Sequence, residues 1–593
     1  MHGYTGKSLF IDLSTEKYSI VKTPVPLIEE FIGGRGLGVA LIAPYIRYPW
    51  DSPEMPLIFS SGPLVGTASP TSGRISVVSR SPLTGTVFDC SVGGRFGTEM
   101  KRSGYDLIFV QGKARGWKII EVTSDDVKIM DAEKLSGKNT EELSKTMGNT
   151  YSTATIGRAG EKGVRFAGIV FDGHYLAGRG GLGAVMGAKR LKAIRIKGDN
   201  DIPVYDETEL RRAREEIMRL LRASPSVFGE FGLSEFGTAA LVDLIHVRRM
   251  EPTENFKRSY FEHSHSYSGY SLKTLFNPRK TGCKGCPILC KKISPGGKVI
   301  PEFETVSHFG ALNKNSDPEA IVEANRLCND YGLDTISTAS TIACYSEINE
   351  RWLTPEELLR HITLIGERKD IGEHLSEGSL RYATAQGVAC FSMSVKALEL
   401  PAYDPRGAYG MALAYATSNR GGCHLRAYPI SYEILRKPVS VDRFSFEGKA
   451  RMVKISEDMN AVVDSLTACK FVFFASTLEE YARCLKAVTG RDFDVQHLLK
   501  TGERIWLLER YLNNLNGFSG KDDDLPERFF KEPGFSEGKL TIPPIKREDF
   551  LDALNRYYRI RGYKEDGTVD KEILDSANLK DLPSSEDHYS FPQ

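Results

Sequence analysis

Long apolar runs are missing from this 593-residue chain, so no membrane-spanning helix is expected. A dominant charge is missing too. Lysine and arginine nearly balance aspartate and glutamate, giving a formal net charge of +1, and no global field marks a binder of nucleic acid or acidic polymers. No internal repeat or low-complexity tract is present, which argues against a repeat array. The opening Met1-His-Gly-Tyr-Thr-Gly is polar from the outset and unlike a secretory signal, so reduced thiols in a cytoplasmic protein are expected. The length is too great for one hydrophobic core and predicts two to four domains. Cysteine is scarce, with ten residues in all.

That scarcity draws attention to Cys283-Lys-Gly-Cys286-Pro-Ile-Leu-Cys290, where three of the ten thiols fall within eight residues. Thiolates at this spacing can converge on one soft metal centre and lack only a fourth ligand. Gly282 and Gly285 let the backbone turn tightly, and Pro287 stiffens the loop between the second and third thiols. An iron–sulfur cluster is the first expectation and a structural zinc loop the second, although a second Cys-x2-Cys knuckle is absent. Cys469, far along the chain, is the candidate fourth thiolate. Cys90, Cys328, Cys344, Cys390, Cys423 and Cys484 read as ordinary buried thiols.

The texture of the chain changes near residue 205. Before it, β-branched runs such as Ser8-Leu-Phe-Ile-Asp-Leu, Leu57-Ile-Phe-Ser, Arg74-Ile-Ser-Val-Val-Ser, Leu107-Ile-Phe-Val, Lys118-Ile-Ile-Glu-Val-Thr and Ala193-Ile-Arg-Ile recur between glycine and proline turns. After it, charged helical periodicity begins at Glu207 and returns at Pro318, Asp334 and Pro355. The predicted fold is α+β: an N-terminal β-sandwich-like domain over 1–205, then two mainly helical domains over 206–393 and 394–593. The charged tail after Lys521 reads as a surface wrap.

Two glycine-rich loops carry arginines. Gly73-Arg74 precedes Ser91-Val-Gly93-Gly94-Arg95-Phe-Gly97, and Ala177-Gly178-Arg179-Gly180-Gly181-Leu-Gly183 follows later. Bare backbone N–H groups and a guanidinium suit phosphate, but the spacing is neither a Rossmann nor a Walker loop, and tight β-turns explain such glycines equally well. Two acidic segments have matching outlines: Asp330-Tyr-Gly-Leu-Asp334 and Asp464-Ser-Leu-Thr-Ala-Cys469. A buried carboxylate can bind the amino and ring N–H edge of a pterin or purine, while a helix N-cap is the commoner use of such an aspartate.

Together these residues resemble the tungsten-dependent aldehyde:ferredoxin oxidoreductase family, from the N-terminal Gly-Tyr-Thr-Gly-Lys to about Cys484. The resemblance implies that the N-terminal domain binds pterin. It makes Cys283, Cys286, Cys290 and Cys469 the ligands of a [4Fe–4S] cluster. Arg74, Ser91, Gly93, Arg179, Gly180, Asp330, Asp334 and Asp464 become cofactor-binding residues. The cofactors implied are a tungsten (or molybdenum) bis-pterin dithiolene and a magnesium ion bridging the pterin phosphates on the Ser91 and Gly180 carbonyls. Glu304, His424 and Tyr403 match the catalytic positions, with an aldehyde as substrate. The electron acceptor implied is ferredoxin or a small ferredoxin-like subunit, in a homodimer or heterodimer. A carboxylate- or thioester-reducing catalytic subunit and a non-catalytic iron–sulfur relay are the alternatives.

The match has departures. The first aspartate segment is one residue short of the family pattern, leaving Asn329 or Asp330 to face the pterin. Thr467-Ala468 stands where the pattern has Gly-Leu, so a different backbone is expected there. Phe303 replaces a tyrosine, and Glu323-Ala-Asn-Arg326 breaks the Glu-x-x-His of iron-bridged dimers. Without the resemblance, Glu302 is as good a base as Glu304.

Overall fold

The computed structural model describes residues 1–579. Twelve strands lie between Lys7 and Ile196: β1 Lys7–Asp12, β2 Lys17–Lys22, β3 Leu57–Ser60, β4 Ile75–Arg80, β5 Val87–Val92, β6 Leu107–Gln111, β7 Lys118–Val122, β8 Val127–Asp131, β9 Ser152–Thr155, β10 Ile169–Phe171, β11 Tyr175–Ala177 and β12 Leu191–Ile196. They form two six-stranded sheets, in the orders β2-β1-β6-β3-β4-β5 and β11-β10-β9-β12-β7-β8. All six runs named from the sequence are strands. Each sheet is mixed, however, with β1 parallel to β6 and β7 parallel to β12.

The arrangement is more intricate in its layers than a plain sandwich, because helices enter it. Helix Leu182–Ala188 touches β3 and β4 of one sheet and β10 and β12 of the other. Helix Gly34–Ile42 also packs on β3 and β4, and cover from both helices accounts for the unbroken burial of these two strands, which need not alternate. The sheets meet where edge strand β5 contacts edge strand β11. Gly180 permits this meeting: its φ is +75°, and a Cβ there would lie 2.5 Å from the Phe88 ring.

Helices make up most of the remainder. Helix Glu207–Ala223 starts on an Asp206 N-cap and buries Leu210, Ala213, Ile217 and Leu221 along one stripe. That stripe packs on helix Leu478–Thr489, so the first helix of the middle region leans on the last region. Helices Pro318–Tyr331 and Thr335–Ile348 are capped by Asp317 and Asp334. Helix Lys449–Ser465 packs against both Val495–Leu515 and Arg547–Arg561.

The segment after Lys521 is not a surface wrap. Phe529, Phe550, Tyr557, Tyr558 and Arg561 are buried. Arg561 meets Glu457 Oε2 at 2.7 Å and Asp458 Oδ1 at 2.5 Å, and Tyr557 donates to the same Glu457 oxygen at 2.6 Å. The charge density of this segment misled the surface reading, because part of it is internal ion pairing. Residues 580–593 of the predicted wrap lie outside the described residues.

Removing one partner of a buried ion pair strands the other, so Arg561→Met is expected to cost about 3–5 kcal/mol of stability. An unchanged thermal unfolding midpoint would contradict this account of the tail.

Candidate active site

Two adjoining cavities lie at the junction of β5, β11 and the helical region. The smaller has a volume of about 150 Å³, and Cys283, Cys286, Cys290 and Cys469 all line it. The larger, about 300 Å³, is lined by Glu304, Tyr403, His424, Asp334, Asp464, Ser91 and Arg179 among others. Arg74, Leu176, Glu302, Thr305, Thr335, Cys469 and Phe471 face both.

The three-cysteine loop is held between the short strands Arg279–Thr281 and Lys291–Ile293. Gly285 takes φ +70°, and Lys284 N donates to Gly94 O at 3.2 Å, tying the loop to the sheet domain. Gly93 is required by proximity, since a Cβ would stand 2.4 Å from Cys283 Sγ. Cys469 arrives from the end of helix Lys449–Ser465 and donates its N–H to Thr71 O at 3.0 Å. Burial, with the other thiols nearby, pushes Cys286 up to about 12. A cationic centre would relieve that crowding. Among the described residues no three ligand side chains close on a single ion, and the four thiols instead surround a cavity.

Arg74 stands on the shared wall. It donates to Ser91 Oγ at 2.9 Å and Ser91 O at 2.7 Å, and its Nη1 lies 3.9 Å from Cys469 Sγ. The Gly180 carbonyl accepts from Ser81 Oγ at 2.6 Å, and Gly180 lies off the cavity lining. Arg179 pairs with Asp334 at 3.2 Å, and Asp334 also caps its helix through Ile336 N and Ser337 N.

The two acidic segments share one backbone design. Gly332 ends helix Pro318–Tyr331 at φ +73°, and Thr467 follows helix Lys449–Ser465 at φ +53°. The threonine therefore keeps the left-handed turn that glycine would make, contrary to the expected difference. Its hydroxyl accepts from Gly62 N at 3.0 Å, which offsets part of the strain. Aligned on these turns, Asn329 is the counterpart of Asp464. Asn329 lines the smaller cavity. Asp330 lies on neither cavity wall, and its carboxylate accepts from Glu141 N at 3.0 Å and Asn139 Nδ2 at 3.3 Å. Its assignment as a cofactor-facing residue is therefore corrected: the turn, not the nearest aspartate, sets the register.

Glu302 and Glu304 are separated by their surroundings. Lys291, 2.8 Å from Glu302, holds that carboxyl below its ordinary value. Burial pushes Glu304 up to about 8, against the pull of the Ala402 N–H and Arg179. One Glu304 oxygen accepts from Ala402 N at 2.7 Å. The other lies 3.4 Å from His424 Nε2 and is buried without a hydrogen-bond partner. His424 is held well below its ordinary value by burial and by Arg179 and Arg420, so both groups are uncharged at neutral pH. Tyr403 packs its ring on Phe303 at 5.2 Å and shares its hydroxyl with Tyr428 at 3.1 Å.

Two neighbours were missed. His308, one turn beyond Glu304, points Nδ1 at Glu304 O (2.7 Å) and Nε2 at Leu400 O (3.1 Å). The Glu-x-x-x-His spacing on a helix was the available signal. Cys423 is more than an ordinary buried thiol. It lines the larger cavity and accepts from Arg420 Nη2 at 2.9 Å and Leu425 N at 3.3 Å. Burial raises its pKa, but Arg420, Arg426 and Arg179 outweigh burial and draw the thiol down to about 7. At the broken Glu-x-x-His, Arg326 occupies the Glu323 carboxylate at 2.6 Å.

The larger cavity also holds orphaned polar groups. Asp464 Oδ1 and Arg426 Nε are buried without hydrogen-bond partners. An acceptor and a donor left in this way fit a heterocyclic ligand bearing both functions.

The description "Aldehyde ferredoxin oxidoreductase, N-terminal domain" matches residues 8–198, and "Aldehyde ferredoxin oxidoreductase, domains 2 & 3" matches 212–579. The chain is 39% identical to the tungsten-containing aldehyde ferredoxin oxidoreductase of Thermococcus kodakarensis, over 98% of this chain and all of that one. It is 38% identical to the protein of the same description from Pyrococcus furiosus, with the same coverage. The fold is also that of the BamBC active-site complex of benzoyl coenzyme A reductase, with TM-score 0.83, 22% identity and 98% of each chain covered.

Because the folded-state value for Glu304 lies above the ordinary 4.5, its protonated form is favoured in the native protein. Its stabilising contribution is complete below 4.5 and is lost as pH rises through about 8. Thermal unfolding of the cofactor-free protein from pH 5 to 9 should show a shallower alkaline decline for Glu304→Gln than for the parent chain. Parallel curves would refute the assigned environment.

Proposed function

The chain belongs to the aldehyde ferredoxin oxidoreductase family, and on that premise we propose that it oxidises an aldehyde to the carboxylic acid with an oxygen from water. Cys283, Cys286, Cys290 and Cys469 would hold a [4Fe–4S] cluster, which would supply a one-electron outlet to a ferredoxin or ferredoxin-like subunit for the two electrons released. The observation that carries this reading is the uncharged Glu304–His424 pair on a cavity that shares Arg74 and Cys469 with the four-thiol cavity.

Asp334, Asp464, Arg74, Arg179, Ser91 and Gly93 would hold a tungsten–bis-pterin group, with Asn329 taking the place of the first aspartate. The orphaned Asp464 oxygen and Arg426 nitrogen fit such a heterocycle. The Ser91 and Gly180 carbonyls, each able to accept beyond the bond it already makes, would hold a magnesium ion that would neutralise phosphate charge there. The thiols spread around a cavity suit a polynuclear cluster better than one zinc ion, whose sulfurs crowd in at ~2.3 Å. When bound, the tungsten group supplies a two-electron acceptor beside the substrate carbon.

The protein side chains do the proton work. Glu304, once ionised, accepts a proton from water or from the hydrated aldehyde, and its value near 8 makes it a stronger base than an ordinary carboxylate. His424, neutral and 3.4 Å away, hydrogen-bonds the substrate oxygen, while Glu304, the more basic of the two, keeps the proton it has taken. Tyr403, held by Tyr428 and Phe303 with its ring 5.7 Å from that of His424, sets the substrate's orientation.

Glu304→Gln is expected to lower aldehyde-dependent viologen reduction by about 10²–10⁴-fold while tungsten, iron and pterin contents stay at parent levels. The assay uses an aldehyde panel together with elemental analysis. Near-parental turnover by the variant would remove Glu304 as the base, and a preparation of the parent chain with iron but no tungsten or pterin would remove the enzyme reading.

A further inference from the structure

Between His263 and Pro301 the chain carries seven lysines and arginines and no aspartate or glutamate, in a protein whose net charge is +1. This basic stretch contains the three-cysteine loop. Lys273, Arg279, Lys280, Lys284 and Lys298 are exposed. Some are locally neutralised: Lys273 and Lys280 both pair with Glu235, and Lys284 pairs with Glu99 at 2.8 Å. Among the described residues Arg279 and Lys298 form no ion pair. Exposed acids flank the stretch at Glu230, Glu262 and Glu302, the last two paired with Arg258 and Lys291 at 2.8 Å each.

An apolar surface adjoins these cations. Phe231 is 74% exposed and stacks on Phe236 at 6.2 Å, and Lys273 lies 5.2 Å over the Phe236 ring. Tyr270 and Leu275 stand out from helix Gly269–Phe276, which touches helix Leu233–Phe236. The next residue, Gly237, backs directly onto the loop, because a Cβ there would lie 2.6 Å from Cys290 O. Leu289, within the loop itself, is exposed, and its carbonyl accepts from Lys292 Nζ at 2.9 Å. Gly285 has open space where a side chain would stand. Arg279 lies opposite Ile293, which bridges to Val299, so the Lys298 turn belongs to the same small sheet.

We propose that this face, with an apolar centre at Phe231, Leu275 and Leu289 and a basic rim at Arg279, Lys280 and Lys298, docks an acidic, soluble one-electron carrier protein. The reading rests on the cluster assignment above. An apolar centre within a charged rim is the usual anatomy of a transient interface, and rim charges chiefly govern encounter rate and salt dependence. The transfer is one electron from the reduced cluster to the oxidised carrier, with no bond made or broken. The thin loop between the thiols and solvent makes this face the short way out.

The test uses reduced, anaerobically desalted holoenzyme mixed in stopped flow with an oxidised acidic ferredoxin, and separately with benzyl viologen, over a series of salt concentrations. The triple variant Arg279→Glu/Lys280→Glu/Lys298→Glu is expected to lower the second-order rate to ferredoxin by about tenfold at low salt and to flatten its salt dependence. The viologen rate should stay near parental. Phe231→Ala/Leu289→Ala should weaken ferredoxin transfer with the salt slope retained. Unchanged ferredoxin rates and slopes in both variants would overturn the docking face while leaving the enzyme reading intact. A chain that is dimeric in solution and becomes monomeric in the Phe231→Ala/Leu289→Ala variant would also overturn it, because a second copy would then cover the face. Parent holoenzyme unable to reduce viologen would overturn the cluster assignment, and the proposal with it.

Discussion

The fold depends on neutralising charges that it has taken out of water. Arg35 and Asp89 come from the sheet region, and Arg426, Asp464 and Glu509 from the helical region; all are almost fully buried. Arg35 grips Glu509 through two bonds of 2.7 Å, Arg426 joins Asp89 to Asp464, and Lys470 reaches Asp464 at 3.0 Å. An ion of this kind buried without its partner costs several kcal/mol, so the sheets and helices cannot close without one another. The sequence separation of these partners makes the closure a long-range event rather than a local one. Its product is the floor of the larger cavity.

That floor governs the chemistry above it. Arg74, Arg179, Arg420, Arg426 and Lys470 line the larger cavity, facing Asp89, Asp334, Asp464 and Glu302. Burial, aided by the cations, keeps His424 neutral, the arginines draw Cys423 toward its thiolate, and burial keeps Glu304 protonated near neutrality. Two glutamates that composition cannot tell apart thus acquire opposite characters two residues apart. Glu302 is ionised against Lys291, and Glu304 is held neutral in the dry pocket. Of the two glutamates, Glu304 is the one whose value lies near physiological pH.

The chain revealed those features that are local or chemically rare. The thiol spacing, the six β-branched runs and the helices after Glu207 could each be read from a short window, and each has its counterpart in the fold. What escaped was set by distant partners. Asp330 looked like the reader of a ligand edge because it was the nearest acid, yet the left-handed turns at Gly332 and Thr467 put Asn329 opposite Asp464. Cys423 looked inert although Arg420 and Arg426 stand three residues to either side of it, because only folding turns both guanidiniums onto the thiol and adds Arg179. The tail looked solvated because a run such as Arg559-Ile-Arg561 does not announce that one of its charges will be buried on Glu457. Mixed sheets with a helix between them were equally invisible, since pairing direction leaves no mark on a strand's own residues.

The two cavities have complementary electrostatics, and this bears on how an oxidation could be divided between them. Removing two electrons and two protons from a substrate is easiest when the charges leave by different routes, because neither cavity then accumulates net charge. Arg74 touches Cys469 on one side and Ser91 on the other, so its cation is placed to stabilise added negative charge at the thiol end. Glu304 and His424 have no such cation within hydrogen-bond reach and face each other as an uncharged pair. Glu302, shared by both cavities, is already committed to Lys291 and does not compete for the proton. The wall between the cavities therefore separates a cation at the thiol end from an uncharged pair at the other, and in the proposed oxidation it would favour electrons toward the thiols and keep protons beside the substrate.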